Sequence, residues 1–234
     1  MKRNLLTGDN IDGIGWIFAD ILTTMGFNVK RCSNLHSYIE KECAANTPDG
    51  LIFFVTNENE ELYSFTEELV SKYVGMRIFV LSYIKSYRLR KQLEDIGITG
   101  YFLMPDLPSE ICKWILADML PDDERTLFLN IIEYLEAKGI SCMKTGFYYM
   151  CSAMMAGIFM PRLLSRMTAG FYPLVAERMN STPQCVDQSL RRFSKYITEH
   201  GVRFDAYKGT YPMTNTNLIS SAIDEFSELY DIYK

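Results

Sequence analysis

The residues best suited to chemistry with another molecule lie between positions 171 and 197. Long polar side chains recur there at the spacing of one helix face, at Gln184, Gln188, Arg191 and Lys195. Amide and guanidinium groups of this length can hydrogen-bond base edges, and ammonium groups can reach phosphates. An apolar stripe suited to a core runs along the same segment through Val186, Leu190, Phe193 and Ile197. The spacing predicts one helix with a buried face and a DNA-binding face.

The start of this helix is marked by residues that favour a tight turn. Ser181 and Thr182 are both N-cap types, and Pro183 suits a first helical turn. With Ser181 as the cap, Gln184 would complete a capping box. A shorter helix over 172–179 precedes the turn, and Asn180 can adopt the left-handed conformation that ends it. We therefore predict a helix-turn-helix that docks in the major groove, with an ordinary helical hairpin as the competing interpretation.

The charge of the chain is unevenly distributed. The net charge is -5, and residues 1–125 carry 13 Lys and Arg against 19 Asp and Glu, whereas residues 126–234 carry 11 against 10. The window 162–203, which includes Arg192, contains seven basic residues and three acidic ones. Such a local basic patch is expected where phosphates must be neutralised. It is modest, so a single copy should bind DNA weakly.

Composition predicts a cytoplasmic protein of two domains, at 1–120 and 121–234. A chain of 234 residues with 48% hydrophobic side chains can bury two cores. It contains no apolar run as long as a membrane span and no signal peptide pattern. The six cysteines lack a C-x-x-C pair, which favours reduced and mostly buried thiols. With two histidines only, we expect no metal, no cofactor and no catalytic site.

The first half alternates apolar runs with helical patterns. We expect strands near 4–7, 28–31, 51–55, 77–82 and 100–104, and helices at 14–25, 60–73, 87–96 and 109–119. The runs LIFFV and RIFVLS are continuously apolar, as in strands buried on both faces of a parallel sheet. Five strands alternating with helices predict an α/β doubly wound parallel sheet.

The second half is expected to be all helical. Besides the helix-turn-helix, the pattern predicts helices at 126–137, 145–160 and 218–233. The middle one is apolar nearly all round, which is typical of a central core helix. A polar stretch over 201–217 separates the helix-turn-helix from the last helix.

The order of elements in the first half resembles a response-regulator receiver domain. By position, the acidic pair of receivers becomes Gly8-Asp9, the phosphoacceptor becomes Phe54 or Val55, the fourth-strand hydroxyl stays as Ser82, and the lysine becomes Met104. Phosphorylating a carboxylate needs an attacking Asp, a Mg²⁺ held by oxygens and a cation on the phosphate. The resemblance therefore implies a degenerate phosphorylation pocket. Asp49 or Glu58 as a substitute acceptor is the weaker alternative.

The second half resembles the effector domain of the stage 0 sporulation response regulators of endospore-forming bacteria. Three segments carry this resemblance in the family's order: KTGFYYMCSAM, FYPLVAERMNSTPQCVDQSLRRF and PMTNTNLISSAIDEF. It implies a recognition helix that reads a short box in double-stranded DNA. The family's guanine-reading Arg aligns with Gln188 and its neighbouring Glu with Asp187, while Arg191 is retained. We expect DNA contacts from Ser181, Thr182, Gln184, Asp187, Gln188, Arg191, Arg192 and Lys195.

Three classes of function compete. The leading hypothesis is a sequence-specific transcription regulator with a phosphorylation-independent pseudo-receiver, which pairs as a homodimer through the face from Tyr83 to Leu103. The second is an interaction protein that pairs with a genuine response regulator and antagonises it. An enzyme is a distant third, because Asp9, Asp12 and Ser82 supply no nucleophile with its base.

Overall fold

The chain folds into two compact units, residues 2–121 and residues 122–234. The computed structural model describes residues 3–9, 13–104, 106–142 and 146–230. The position of Asp12 lies outside the described residues, as do Pro105, the predicted start of a helix at 145, and residues beyond 230. Each unit has its own core and is described here by itself.

The first unit is an α/β fold around a five-stranded sheet. Its strands are β1 (Asn4–Asp9), β2 (Asn28–Ser33), β3 (Gly50–Val55), β4 (Arg77–Ser82) and β5 (Gly100–Leu103). They lie in the order β2-β1-β3-β4-β5, and every neighbouring pair is parallel. This is the flavodoxin-like doubly wound order that chemotaxis-type receiver proteins share. The predicted fold class is confirmed.

Strand β3 shows why the sheet needs a cover on both faces. All six of its residues are buried. Phe53 packs into a core that also contains Ile39 and Leu93 from helices on one side of the sheet. Because side chains alternate along a strand, Phe54 points to the other side, where its ring meets Phe18 edge-on at 5.9 Å. A charged residue in the middle of this strand would have no access to water on either face.

Five helices surround the sheet. They are α1 (Ile14–Thr24), α2 (His36–Ala45), α3 (Glu60–Lys72), α4 (Tyr87–Ile96) and α5 (Pro108–Asp118). Helix α4 ends at Gly97, whose φ of 110° is the left-handed conformation that glycine tolerates best. Helix α2 was not predicted from the sequence. Only Ile39 and Cys43 of α2 are buried, so its apolar stripe is too short to stand out.

In the described residues of the second unit the regular elements are all helices, as predicted. Its α-helices are α6 (Asp122–Ala137), α7 (Phe147–Phe159), α8 (Tyr172–Arg178), α9 (Pro183–Glu199) and α10 (Asn215–Tyr230). In α7 every residue from Phe147 to Gly157 except Tyr149 is buried, which confirms it as the central core helix. Helix α10 begins three residues before the predicted start at 218, inside the stretch expected to be an irregular polar connection.

The connection from α7 to α8 is a tightly wound coil of short helical turns, which was not predicted from the sequence. It consists of a 3₁₀ segment, Pro161–Arg166, followed by a π-helical turn, Met167–Phe171. Phe171 is its only buried residue, so the segment lacks the periodic apolar pattern that reveals a helix. Phe171 anchors the coil in the core directly before α8 begins.

Candidate nucleic-acid interface and sheet-edge pocket

Helices α8 and α9 are joined by a four-residue turn, Met179 to Thr182. Asn180 has a φ of 47°, the left-handed conformation predicted for the end of the first helix. The Ser181 amide then donates to the carbonyl of Ala176 at 2.9 Å, which closes the turn against α8. The turn fixes the direction in which α9 leaves.

Thr182, and not Ser181, caps α9. The Thr182 hydroxyl accepts a hydrogen bond from the Cys185 amide at 3.2 Å, and Pro183 occupies the first helical position. Because the cap lies one residue later, the third helical position is Cys185. The predicted capping box between Ser181 and Gln184 is therefore wrong. The Ser181 hydroxyl instead accepts from the Tyr149 hydroxyl of α7 at 2.8 Å.

The two faces of α9 are separated as the spacing predicts. The apolar stripe is completely buried, at 0% exposure for each of Val186, Leu190, Phe193 and Ile197. Thr182 and the long polar side chains on the opposite side are exposed, namely Gln184, Gln188, Arg191, Arg192 and Lys195, whereas Ser181 is half-buried. A continuous strip of hydrogen-bond donors and acceptors thus faces solvent along three turns of helix.

Two acidic residues of α9 pair with its basic ones. Arg191 Nε donates to Asp187 Oδ2 at 2.8 Å, and Lys195 Nζ lies 3.8 Å from Glu199 Oε1. The bond from Arg191 holds the pKa of the Asp187 carboxyl below its usual range. Asp187 is therefore an anion at neutral pH, bound to the guanidinium.

Two residues that sequence reasoning missed complete this arrangement. The Tyr172 hydroxyl donates to Asp187 Oδ1 at 3.0 Å, and Asn215 Nδ2 donates to the same oxygen at 3.0 Å. Both side chains are only 6% exposed. Tyr172 had the pattern of a core aromatic, and Asn215 lies in a Thr- and Asn-rich stretch, so neither residue type revealed the contact.

In the first unit, the residues of the predicted phosphorylation pocket gather at the carboxyl ends of the strands. Phe54 and Val55 are each 3% exposed, and Met104 is 8% exposed. Asp9 ends β1, and its Oδ2 accepts from Arg31 at 2.9 Å. At the positions predicted for the acceptor and the lysine, the side chains are thus a phenyl ring, an isopropyl group and a thioether.

Ser82 is fully buried and bonded on both sides. Its hydroxyl donates to the carbonyl of Val55 at 3.3 Å and accepts from the Ile84 amide at 3.0 Å. The carbonyl of Ile84 in turn accepts from the Tyr101 hydroxyl at 2.9 Å. Hydrogen bonds to the amide and to the carbonyl of Ile84 thereby hold the segment that leads from β4 to α4.

Asn34 is the residue at this edge that the sequence did not reveal. Its side chain crosses over β1 and bonds the backbone of Phe54 twice, accepting from the amide at 2.8 Å and donating to the carbonyl at 2.6 Å. The crossing requires Gly8, because a Cβ there would lie 2.2 Å from Asn34 Oδ1. An asparagine after a strand is an ordinary turn residue, so its type gave no signal.

Beside Asn34 lies an open cavity of about 710 Å³ at the ends of β1 and β3. Its lining comprises Asp9, Ser33, Asn34, Leu35, His36, Phe54, Val55, Thr56, Asn57, Asn59, Glu61 and Leu62. Neither Lys nor Arg is among these described lining residues, so this wall offers a phosphate no strong cation. Of the alternative acceptors, Asp49 Oδ2 accepts from the Asn4 amide at 2.7 Å, and Glu58 Oε1 accepts from the Tyr63 hydroxyl at 2.8 Å.

Comparison with known proteins links the helical unit to one family. Residues 131–221 match the family described as sporulation initiation factor Spo0A C terminal. No match to the chain was found among curated protein sequences.

Several solved structures of response regulators are similar to part of the chain. A CheY-like receiver domain protein from Methanospirillum hungatei is 16% identical, with a TM-score of 0.47, covering 54% of this chain and 98% of its own. The orphan response regulator HP1043 of H. pylori is 17% identical, with a TM-score of 0.45, covering 50% and 97%. A response regulator from Thermotoga maritima is 18% identical, with a TM-score of 0.45, covering 51% and 98%.

The first unit has the strand order of receiver-type folds, and residues 131–221 of the second unit match the Spo0A C-terminal family. In this order of units, the chain is similar to a Spo0A-like response regulator. The resemblance expected from the sequence is confirmed.

Among the described residues, every helix is too short or too polar to span a membrane.

The cap of α9 gives a direct test of the turn geometry. Thr182→Ala should lower the free energy of unfolding by about 1 kcal/mol, because the Cys185 amide loses its acceptor. Thr182→Ser keeps the hydroxyl and is the matched control, which should stay close to wild type. Chemical denaturation of the three proteins measures the difference, and equal stability of all three would contradict Thr182 as the cap.

Proposed function

We propose that this protein is a sequence-specific transcription regulator that binds double-stranded DNA through α9 and works without phosphorylation of its receiver-type unit. The observation that carries the proposal is the exposed polar strip on a helix whose opposite face is fully buried. The match of residues 131–221 to the Spo0A C-terminal family supports it. Helices α8 and α9 with their tight turn act as the helix-turn-helix.

The side chains of the strip suit the major groove in chemistry and in order. Gln188 can bond adenine N6 and N7, and Arg191 can fork onto guanine O6 and N7. Gln184 and Thr182 lie at the start of α9, the end of a recognition helix that contacts base edges. Lys195 and Arg192, farther along, are placed for phosphates. Two further basic residues, Arg162 and Arg166, are also exposed and lie in the segment that precedes α8.

In this proposal the receiver-type unit acts without phosphate, because the open cavity beside Asn34 has neither Lys nor Arg among its described lining residues. Phe54 and Val55 offer no nucleophile, and Met104 offers no cation. Asn34 bonds the backbone of Phe54, and the Ser82 hydroxyl has both a donor and an acceptor. No aspartyl phosphate is needed to hold the segment after β4, because Ser82 and Tyr101 hold it. In this proposal the protein is cytoplasmic.

Arg191→Ala should cost about 1–3 kcal/mol at the preferred duplex and relax one base position, because a bidentate contact to guanine is lost. Lys195→Ala is the contrasting variant, since loss of a phosphate contact should weaken all sequences alike and reduce the salt slope by about 1. Binding titrations on preferred and scrambled duplexes at several salt concentrations measure both. Wild-type binding that is indifferent to sequence and to salt would rule out the proposal.

Gln188→Arg should move the preference at one base pair from adenine towards guanine. Arg is the side chain that forks onto guanine O6 and N7, and position 188 is exposed in the strip. Selection on randomised duplexes reads the change, with Glu199→Gln at the far end of α9 as a control whose motif should match the wild type. An unaltered motif in Gln188→Arg would mean that α9 is not placed in the groove as proposed.

Phosphodonors should leave the protein unmodified. Incubation with acetyl phosphate and Mg²⁺ followed by intact mass measurement is expected to give the unmodified mass, while a receiver that retains its Asp gives an adduct in parallel. Were a stoichiometric, acid-labile adduct to form, Asp9→Asn and Asp49→Asn would locate it. That adduct would overturn phosphorylation independence and leave the DNA-binding proposal standing.

The segment from Tyr83 to Leu103 pairs two copies in this proposal. Tyr87 is 80% exposed and Tyr83 is 42% exposed, an aromatic surface beside basic side chains. Leu89 lies in the same segment but is buried in the core, so it is not part of the proposed pairing surface. Its place on the inner side of α4 follows from its contacts with the sheet.

If two copies pair through this segment, sedimentation should show a dimer at tens of micromolar. Tyr87→Glu should disrupt the dimer, because it places a charge in an apolar contact. Val74→Glu is the matched control, because Val74 is 91% exposed and lies outside the segment. A monomer at all concentrations, with and without DNA, would contradict homodimerisation. If a genuine response regulator instead binds this face, the same variant should abolish that complex, which would favour an antagonist.

A further inference from the structure

Asp187 lies in the middle of the polar strip, yet both of its carboxylate oxygens are occupied by the protein itself. Oδ2 accepts from Arg191, while Oδ1 accepts from Tyr172 of α8 and from Asn215 of α10. Asn215 Nδ2 is also 2.9 Å from the Tyr172 hydroxyl oxygen and 3.1 Å from the backbone carbonyl of Asp187. A carboxylate with this set of partners is poorly placed to accept a hydrogen bond from a base.

The contact with Arg191 leaves the reading end of that side chain available. It uses Nε, the nitrogen nearest the aliphatic stem, whereas the two terminal nitrogens carry the donors that fork onto guanine. Arg191 is exposed over 72% of its side chain, so without a partner its guanidinium would sample many rotamers. A fixed anion behind Nε restricts that sampling.

We infer that Tyr172 and Asn215 are positioning residues that hold the Asp187 carboxylate, and through it orient Arg191 for base reading. This inference rests on the proposed DNA-binding function. Asp187 then acts as an orienting anion and does not read a base itself. The specificity of α9 thereby depends on two buried side chains that touch no DNA.

The network is built to be rigid. Tyr172 and Asn215 are each 6% exposed, and each belongs to a different helix packed against α9. Asn215 is the first residue of α10, and it bonds both the side chain and the backbone of Asp187. The lowered pKa of Asp187 agrees with an anion that accepts several hydrogen bonds, the largest effect coming from Arg191. A displacement of α10 would therefore move Asp187 and, through it, Arg191.

The first arm of the experiment measures discrimination in the full-length protein. Tyr172→Phe and Asn215→Ala should each lower the ratio of affinities for preferred and scrambled duplexes by at least about threefold. Affinity for the scrambled duplex and the salt slope should remain at wild-type values. Tyr149→Phe is the matched control, because it removes a tyrosine hydroxyl that bonds Ser181 and not Asp187. Its discrimination should equal that of the wild type.

The second arm places the same substitutions on an Arg191→Ala background. If Tyr172 and Asn215 act through Arg191, neither substitution should lower discrimination any further there. Effects that persist in the double variants, or single variants that discriminate as well as the wild type, would overturn the inference.

The third arm does not require DNA. Titration of the Asp187 carboxyl by NMR should show its pKa rising towards that of an ordinary aspartate in Tyr172→Phe and Asn215→Ala, and unchanged in Tyr149→Phe. Asn215→Ser, which retains a donor, should give an intermediate value. A wild type without sequence preference would refute the proposed function, whereas an Asp187 pKa indifferent to Tyr172 and Asn215 would refute the positioning network by itself.

Discussion

Complete burial of four side chains on one side of α9 is the constraint on which the helical unit depends. Val186, Leu190, Phe193 and Ile197 are each removed from water, which contributes on the order of 1.5–3 kcal/mol per side chain. The helix cannot rotate about its axis without exposing one of them. The 3.6-residue period then dictates which side chains face solvent. The direction of the polar strip is thus a consequence of core packing, and the turn capped by Thr182 sets where the strip begins.

In the first unit, burial and hydrogen bonding likewise determine which polar groups are available at the edge of the sheet. A receiver needs polar groups at the ends of its strands to be available to a metal and a phosphate. Here Asn34 bonds the backbone of Phe54, and Ser82 lies between Val55 and Ile84. The buried Oδ1 of Asp9, in contrast, has no hydrogen-bond partner. Because buried polar groups are costly to leave unpaired, the bonds of Asn34 and Ser82 favour one arrangement of this edge.

Sequence reasoning succeeded wherever a periodic apolar pattern was long. The runs that became β3 and β4, and the stripe of α9, correctly predicted the sheet and the amphipathic helix. It failed where a structure depends on single polar contacts across distant parts of the chain. Asn34 meets Phe54, and Asn215 meets Asp187, 28 residues away. Such contacts have no period, and the residue types involved are common in turns. Helix α2 was missed for a related reason, since it buries only two side chains.

Ion pairs along α9 partly balance its cationic side chains. Arg191 and Lys195 each lie close to a carboxylate four residues away, so that together with Arg192 the helix keeps a small excess of positive charge. These pairs are exposed on the cationic side and contribute little stability, which makes them easy to exchange. On the proposed function, Lys195 would leave Glu199 for a phosphate at small cost. Arg191 differs, because the carboxylate behind it is itself bound by two buried donors, and it would keep that partner while its terminal nitrogens bind a base. The helix would then combine an exchangeable contact suited to any DNA sequence with a fixed contact suited to one base pair.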